Sequence, residues 1–353
     1  MDKKYSIKEV SEIFGITTNK IRFYEKKGLI KTRRNEENDY RYFTDEDLVK
    51  LQTILMYREL NLSIEDIKDL FEDSSKNNVL NHYHNQWKVI NREIHKMKLL
   101  RESIEKIMDN IYEVQGDEYT EHIVETTREM MGIWSIKDNW KDKWNFDSWA
   151  KTYDESVKKD IGALKIYENY ERILQTVYEK AKKNLSKDGK ILEIGVGTGN
   201  LAEKFLMDGC DIVGIDQSRE MLNVAKAKHG ELKVRLGEFL KIPFENSSFD
   251  VIVSTYAFHH LNNEEKALAI MEMKRVLRDN GKIIIGDLMF ESKTKEKKVK
   301  ETMSSQQIEE IEDEYYSNIE MLSLEFEKYG MRVDVMQIDQ LNFILEVKDR
   351  CYS

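Results

Sequence analysis

The stretch LEIGVGTGNL sets Glu193, Gly195, Gly197 and Gly199 at the end of a short apolar run. Glycines at a strand-to-helix turn let a ligand lie against bare backbone, because no Cβ intervenes. Dinucleotide-binding folds share the G-x-G pattern, so the residues around it carry the discrimination. The third glycine falls one place early for G-x-G-x-x-G, where position 200 is Asn, and Glu193 precedes the turn. A carboxylate at that place suits a cationic ligand and would repel a pyrophosphate. The next apolar run ends in Asp216 and Gln217. Asp216 is placed to accept hydrogen bonds from both hydroxyls of a ribose, which does not separate the two ligand types. Met221 could pack on a purine, although a Met at a helix start more commonly belongs to the core. Gly237-Glu238-Phe239 could offer a carboxylate and a ring at the purine edge.

The run FDVIVSTYAFHHL ends in Ser254, Thr255 and Tyr256, followed by His259 and His260; Tyr315 and Tyr316 come later. In open parallel sheets, ligands sit beyond the carboxyl ends of the strands, where these residues fall. Ser254 joins the first ligand's set. Tyr256, His259, Tyr315 and Tyr316 are the candidates to position or deprotonate a second ligand. One of the two histidines is expected to be structural, and the Tyr pair could equally be a packed helix face.

A second group lies near the N-terminus. Between Thr17 and Arg34 there are seven basic residues and one acidic one, in a chain whose net charge is −10. A local excess of that kind is the footprint of phosphate contacts, or an ordinary solvated basic face. The residues around it form short helices with tight joints. Ser6 can cap a first helix that Gly15 ends, and Thr17 or Thr18 a second that Gly28 ends. Thr44 with Asp47, and Ser63, open a third and a fourth. Two helices joined by a short Gly-containing turn are what a helix-turn-helix needs. Polar side chains at the start of the second helix (Thr18, Asn19) would then reach base edges, while Lys20 and the other basic residues position the helix on the backbone.

Between these groups the pattern is helical. Trp87, Ile90, Ile94, Met97, Arg101, Ile104, Met108 and Ile111 recur at steps of three and four, a coiled-coil seam that implies a partner helix. The bland alternative is that it packs on its own chain. Residues 114–145, with Trp134, Trp140 and Trp144, read as an ordered connector whose Trp side chains dock on a neighbouring domain. From Lys190 apolar strands alternate with helices, as in a parallel sheet covered on both faces. The last two strands, RVDVMQID and NFILEVK, are separated by a tight turn near Leu341 and should pair antiparallel.

Length and composition set the frame. At 353 residues the chain suits two domains, and its 66 acidic against 56 basic residues argue against a protein that coats nucleic acid along its whole length. The two cysteines, Cys210 and Cys351, have no ligand-like spacing, so no metal site is expected from them. No signal peptide or membrane span is read, which makes the cytoplasm the expected compartment.

The N-terminal residues YSIKEVSEIFGITTNKIRFYEKKGLI, DYRYFTDEDL and ELNLSIEDIKDLF resemble the MerR family of bacterial transcription regulators over about 70 residues. The resemblance implies that Arg22, Tyr24, Arg41 and Tyr42 contact the DNA backbone. It also implies dimerisation through an antiparallel pair of long helices on an inverted-repeat promoter site. Metal-sensing members carry Cys ligands at the dimer helix, and this chain has none there.

Residues 146–353 resemble the class I S-adenosylmethionine (AdoMet)-dependent methyltransferases, nearest to small uncharacterised bacterial members, through FDSWAKTYDESV, LEIGVGTGNL, VSTYAFHHL and EDEYYSN. The resemblance implies AdoMet as cofactor and a Tyr153 that closes over it. Glu238 departs from the family's more usual Asp. DNA amino-methyltransferases carry Pro-Pro-aromatic after the fourth strand, where this chain has Ser-Thr-Tyr-Ala, so DNA is not the expected methyl acceptor.

The expected fold is therefore an α winged helix-turn-helix with a long dimerisation helix, plus an α/β doubly wound, Rossmann-like domain. The expected divisions are 1–75, 76–115, 116–145 and 146–353. The expected function is a DNA-binding regulator fused to a methyltransferase acting on a small molecule. The alternatives are a pure regulator whose methyltransferase fold senses AdoMet or another ligand, and an RNA or protein methyltransferase.

Overall fold

The computed structural model describes residues 3–34, 40–72, 79–113, 119–160 and 162–350. The chain forms two compact units, residues 1–95 and 96–353.

In the first unit, β1 (Tyr5–Ser6) leads into α1 (Ile7–Phe14), and α2 (Thr18–Lys26) follows after the Gly15 turn. Ser6 and Glu9 form a reciprocal capping box, Gly15 takes the left-handed conformation that ends α1, and Thr17 caps α2. Strands β2 (Arg33–Arg34) and β3 (Arg41–Phe43) complete a three-stranded sheet in the order β1-β3-β2. Part of the turn-like stretch after Arg34 is thus a strand, and residues 35–39 lie outside the described ones. Thr44 and Asp47 box the start of α3 (Asp45–Glu59), while Ser63 and Asp66 exchange the same pair of bonds at the start of α4 (Ile64–Glu72). The core is Val10, Ile21, Tyr24, Leu29, Phe43, Leu51, Ile54 and Tyr57.

Helix α5 (Val79–Glu113) begins in the first unit and continues into the second. Near its start Gln86 is buried, donating to Thr53 Oγ1 at 2.6 Å on α3. Further on, the apolar seam lies open in the single chain, with Met97 59% and Ile104 56% exposed.

The second unit continues with α6 (Tyr119–Asn139), α7 (Phe146–Trp149), α8 (Tyr153–Lys159) and α9 (Tyr170–Lys182). Ile133, Ile136 and Trp140 pack against the central core, and Lys137 forms a buried ion pair with Glu272 at 2.9 Å. The segment read as a connector is thereby part of the same compact unit as the sheet, and Trp140 docks within that unit. The sheet is built from β4 (Lys190–Ile194), α10 (Asn200–Met207), β5 (Asp211–Asp216), α11 (Arg219–Lys228), β6 (Lys233–Leu236), β7 (Phe249–Thr255), α12 (Asn263–Val276) and β8 (Leu277–Phe290). It ends with α13 (Lys293–Lys300), α14 (Ser305–Glu312), the short β9 (Ser317–Asn318), α15 (Ile319–Glu327), β10 (Met331–Gln337) and β11 (Asn342–Asp349).

The strand order is β6-β5-β4-β7-β8-β11-β10. The first five run parallel, β11 pairs antiparallel with β8, and β10 antiparallel with β11. The chain winds one way from β4 to β6 and the other way from β7 to β8. The crevice between β4 and β7 is therefore the topological switch point, the place where such sheets bind ligands. Among the described residues no helix is long and apolar enough to cross a membrane.

Candidate functional site

A cavity of about 490 Å³ opens at this switch point. Its size is that of a small-molecule site. One end is formed by the turn after β4. Gly195, Gly197 and Gly199 all have positive φ, which L side chains adopt at a cost. A Cβ on Gly195 would stand 2.5 Å from the Cβ of Ala257, whereas at Gly197 it would meet nothing within 4 Å. Gly195 is thus demanded by packing, and Gly197 leaves bare backbone facing open space.

Asp216 closes this end from the tip of β5. Its carboxylate accepts from Gly197 N and Ser218 N, both at 2.9 Å, one bond to each oxygen. Those bonds fix the carboxylate and leave lone pairs on both oxygens for a ligand. Burial pushes its pKa up to about 6; the two amides oppose the shift, and Asp142 and Asp147 add to it. Beneath the turn Glu193 is buried with Oε2 unpartnered among the described residues, and burial, then Asp216, holds its pKa well above the usual carboxylate range. Gln217 Oε1 and Ser254 Oγ are likewise buried without partners. Of these three only Gln217 lines the cavity, so its side-chain oxygen is the orphaned acceptor that a polar ligand against the bare backbone would satisfy.

Gln217, Met221, Glu238, Phe239 and Tyr153 line the cavity together with Gly195, Gly197 and Asp216, so these sequence candidates are brought to one place. Three others stand behind it. Glu193 lies under the wall, Ser254 points to the opposite face of β7 from the cavity-lining Thr255, and Gly199 faces His229. Asp154, which sequence reasoning passed over, holds the glycine turn: it accepts from Thr198 Oγ1 (2.6 Å), Asn200 Nδ2 (3.0 Å) and Lys228 Nζ (2.7 Å).

The other end of the cavity is aromatic and acidic. Tyr256 sits just after β7 at φ +50, a conformation a bulky side chain adopts only when its surroundings impose it. Its ring packs 5.2 Å from Tyr167 and 5.4 Å from Tyr170, and its hydroxyl donates to the Ile166 carbonyl at 3.2 Å. His259 Nδ1 lies 2.5 Å from Oδ1 of Asp287, which is fully buried on β8. Asp287 also accepts from the backbone N–H groups of Phe258 (2.6 Å), His259 (3.1 Å) and Leu288 (2.7 Å). Burial opposes the charge on both partners, yet their mutual attraction prevails: the pKa of His259 is raised and that of Asp287 lowered. Nδ1 therefore carries the proton in the neutral ring. Nε2 has no hydrogen-bond partner among the described residues, and His259 lines the cavity.

His260 Nδ1 pairs with Glu314 at 2.9 Å, and its ring is packed between Trp144 (4.5 Å) and Phe146 (4.9 Å). Burial, then the neighbouring His259, lowers its pKa. Tyr316 lines the cavity, but Tyr315 does not: it is 39% exposed and its hydroxyl is held outside by Lys143 at 3.0 Å. Tyr315 is thereby removed from the acceptor set. Asp287 was the chief omission from the sequence reading. The available signal was an acidic residue at the carboxyl end of the apolar strand KIIIGD, the same placement that singled out Asp216.

In the first unit Asn19, Lys20 and Arg22 are exposed, with Thr18 half-buried beside them on α2. Tyr24 corrects the expectation: it lies three residues from Ile21 on the inner face of α2 and is 2% exposed, so its ring braces the core. Arg41 is exposed and donates from Nε to Glu25 at 3.1 Å, and Tyr42 is half-buried under the Lys4 ammonium.

Comparison with known proteins agrees with both halves. Residues 192–285 match the family described as a methyltransferase domain, and residues 5–74 the MerR helix-turn-helix family of regulatory proteins. The chain is 38% identical over 208 residues to an uncharacterised methyltransferase of Oceanobacillus iheyensis, covering 58% of this chain and 95% of that protein. It is 39% identical over 207 residues to one of Bacillus cytotoxicus, covering 57% and 94%. The C-terminal unit is a Rossmann-like methyltransferase domain. The chain belongs to the family of these bacterial methyltransferases and carries a MerR-type helix-turn-helix ahead of that domain.

Proposed function

We propose that the C-terminal unit binds AdoMet and methylates a small molecule, and that the N-terminal unit binds DNA as a regulator. The observation that carries the first half is the cavity at the switch point. It joins an open glycine turn and a fixed ribose-type carboxylate, Asp216, to an aromatic end holding a carboxylate-oriented histidine. AdoMet supplies a methyl group already activated by a sulfonium, so the chain's task is positioning. Asp216 would take the ribose hydroxyls and the backbone at Gly197 would lie against the ligand, while Glu193, whose charged form burial disfavours, stands behind the wall. Met221 and Phe239 would hold the purine, Gln217 and Glu238 would offer it polar atoms, and Tyr153 would cover the site from α8. At the far end His259 accepts the acceptor's proton at Nε2, with Tyr256 and Tyr316 shaping the pocket. Calorimetric titration of the full chain with AdoMet tests this reading: micromolar one-to-one binding is expected, and no heat at millimolar ligand would sink it.

For the regulator half, the support is the exposed basic face of α2 and the family match. Thr18 and Asn19 would face bases; Lys20, Arg22, Arg41 and Tyr42 would hold phosphates, with Arg41 exchanging Glu25 for the DNA. Arg22→Ala should weaken binding to all sequences alike and flatten the salt dependence by about one counterion per protomer, as phosphate contacts do. Gel shifts at several salt concentrations would show it. A change in sequence preference instead would place Arg22 on a base.

An inverted-repeat site requires a two-fold dimer. The open seam of α5 is the surface for it, since the chain itself leaves Ile94, Met97, Ile104, Met108 and Ile111 uncovered. Replacing Ile94 and Met97 with Asp should yield monomers in sedimentation, because a dimer would bury unpaired charge. A persisting dimer moves the interface elsewhere.

A further inference from the structure

The aromatic end of the cavity carries a charge pattern that selects among acceptors. Six carboxylate residues line the cavity against one lysine, Lys165. That lysine is exposed and its ammonium donates to the carbonyl of Asp160; it keeps its charge, and the carboxylates outnumber it. Asp216 and Glu238 belong to the cofactor end; Glu314, bonded to His260, belongs to the other, and Asp160, Glu310 and Asp313 line the same cavity. Glu310 is tied up by the backbone N–H groups of Ala163 (2.8 Å) and Leu164 (3.0 Å). Glu314 spends Oε2 on His260, and its Oε1 has no hydrogen-bond partner among the described residues. Between these groups stand the rings of Trp140, Phe146, Tyr256 and Tyr316. The field is negative at several places: the hydroxyls of Tyr167, Tyr256 and Tyr316 are all raised by burial first and then by carboxylates, chiefly Glu314 and Asp287. An anionic acceptor would be repelled there, and a neutral one would gain nothing from the charge.

We propose that the methyl acceptor is an amine carried on an aromatic body, an arylalkylamine, held by Glu314 and the surrounding rings with its nitrogen at His259 Nε2. This deepens the methyltransferase reading and rests on it. The amine arrives as an ammonium, attracted by the carboxylates and by the faces of the aromatic rings. Nε2 of His259 takes one ammonium proton, and the imidazolium is stabilised by Asp287. The freed nitrogen lone pair forms an N–C bond to the methyl carbon as the C–S bond breaks. The sulfonium charge passes to the new methylammonium, and His259 returns its proton to solvent.

The test is binding to the full chain saturated with S-adenosylhomocysteine. The probes are phenethylamine and tryptamine, their alcohol counterparts and the matching arylacetates, measured by calorimetry at neutral pH. The amines are expected to bind at least ten-fold more tightly than the alcohols, with the arylacetates weaker still. Glu314→Gln should remove most of the amine-over-alcohol preference while leaving the S-adenosylhomocysteine affinity unchanged, which also shows that the variant is folded. Equal or tighter binding of alcohols or acetates, no binding of either amine at millimolar concentration, or an amine preference that survives Glu314→Gln would each overturn the proposal. Failure to bind S-adenosylhomocysteine at all would count against the methyltransferase reading itself.

Discussion

Asp216→Ala should reduce AdoMet affinity by a hundred-fold or more. The carboxylate is buried and clamped by Gly197 N and Ser218 N, so both oxygens are already aimed when the ligand arrives. Each charge-assisted bond to a ribose hydroxyl is worth about 1.5–3 kcal/mol, and the alanine removes two. It also releases the Gly197 amide, so the turn loses its fixed geometry. Asp216→Asn keeps one acceptor and should fall between the two. The same site predicts a pH dependence with a definite sign. The ionised carboxylate is the form that accepts two hydroxyls, and burial has lifted its pKa to about 6. AdoMet affinity should therefore be full above that pH and decline as pH falls through it, since protonation must be reversed for the ligand to bind. Calorimetry from pH 5 to 8 reads both effects. An unchanged affinity in Asp216→Ala would take the residue out of the site.

Much of this was legible because it is local. A helix start needs an acceptor for its free N–H groups, so Ser6, Thr17, Thr44 and Ser63 marked four starts that the structure contains. The strands were legible from their apolar runs, and the glycine turn from spacing alone. What escaped depends on distance in the chain. Asp287 meets His259 across 28 residues, and Asp154 reaches the glycine turn across 44, neither with a periodic signal. Tyr24 was misplaced for a related reason. Its family motif suggested a contact residue, while its spacing from Ile21, which puts both on one helix face, already pointed to the core. Tyr315 and Tyr316 could not be separated from sequence, because adjacent side chains part company only once the backbone path is fixed.

Asp287 gives the second large effect, and two substitutions separate its structural role from its chemical one. Asp287→Ala would leave three backbone N–H groups and the His259 Nδ1–H without their acceptor in a fully buried place. Breaking a buried pair from one side costs about 3–5 kcal/mol. For a unit of this size that is a fall of about 10 °C in melting temperature. Asp287→Asn keeps the shape, and its carbonyl can still serve some of the amides, so the loss of stability should be smaller. Its amide N–H groups, however, confront Nδ1–H. The ring must then turn to the other tautomer, with the proton on Nε2, and it can no longer accept one from a ligand. Methyl transfer that needs a base should fall by about 10²–10⁴-fold in this variant, with AdoMet affinity retained. The pH dependence of the stability gap between wild type and Asp287→Asn follows from the opposite shifts. The lowered pKa of Asp287 contributes stability that is present above its unfolded value of 3.8 and lost as pH falls through the folded one. The raised pKa of His259 contributes stability that is present below 6.5 and lost as pH rises through the folded value. The gap should therefore be widest between those two values and narrow on either side. Nitrogen chemical shifts of His259 should report Nδ1–H in the wild type and Nε2–H in Asp287→Asn. A wild-type ring protonated at Nε2 alone would end its assignment as the base.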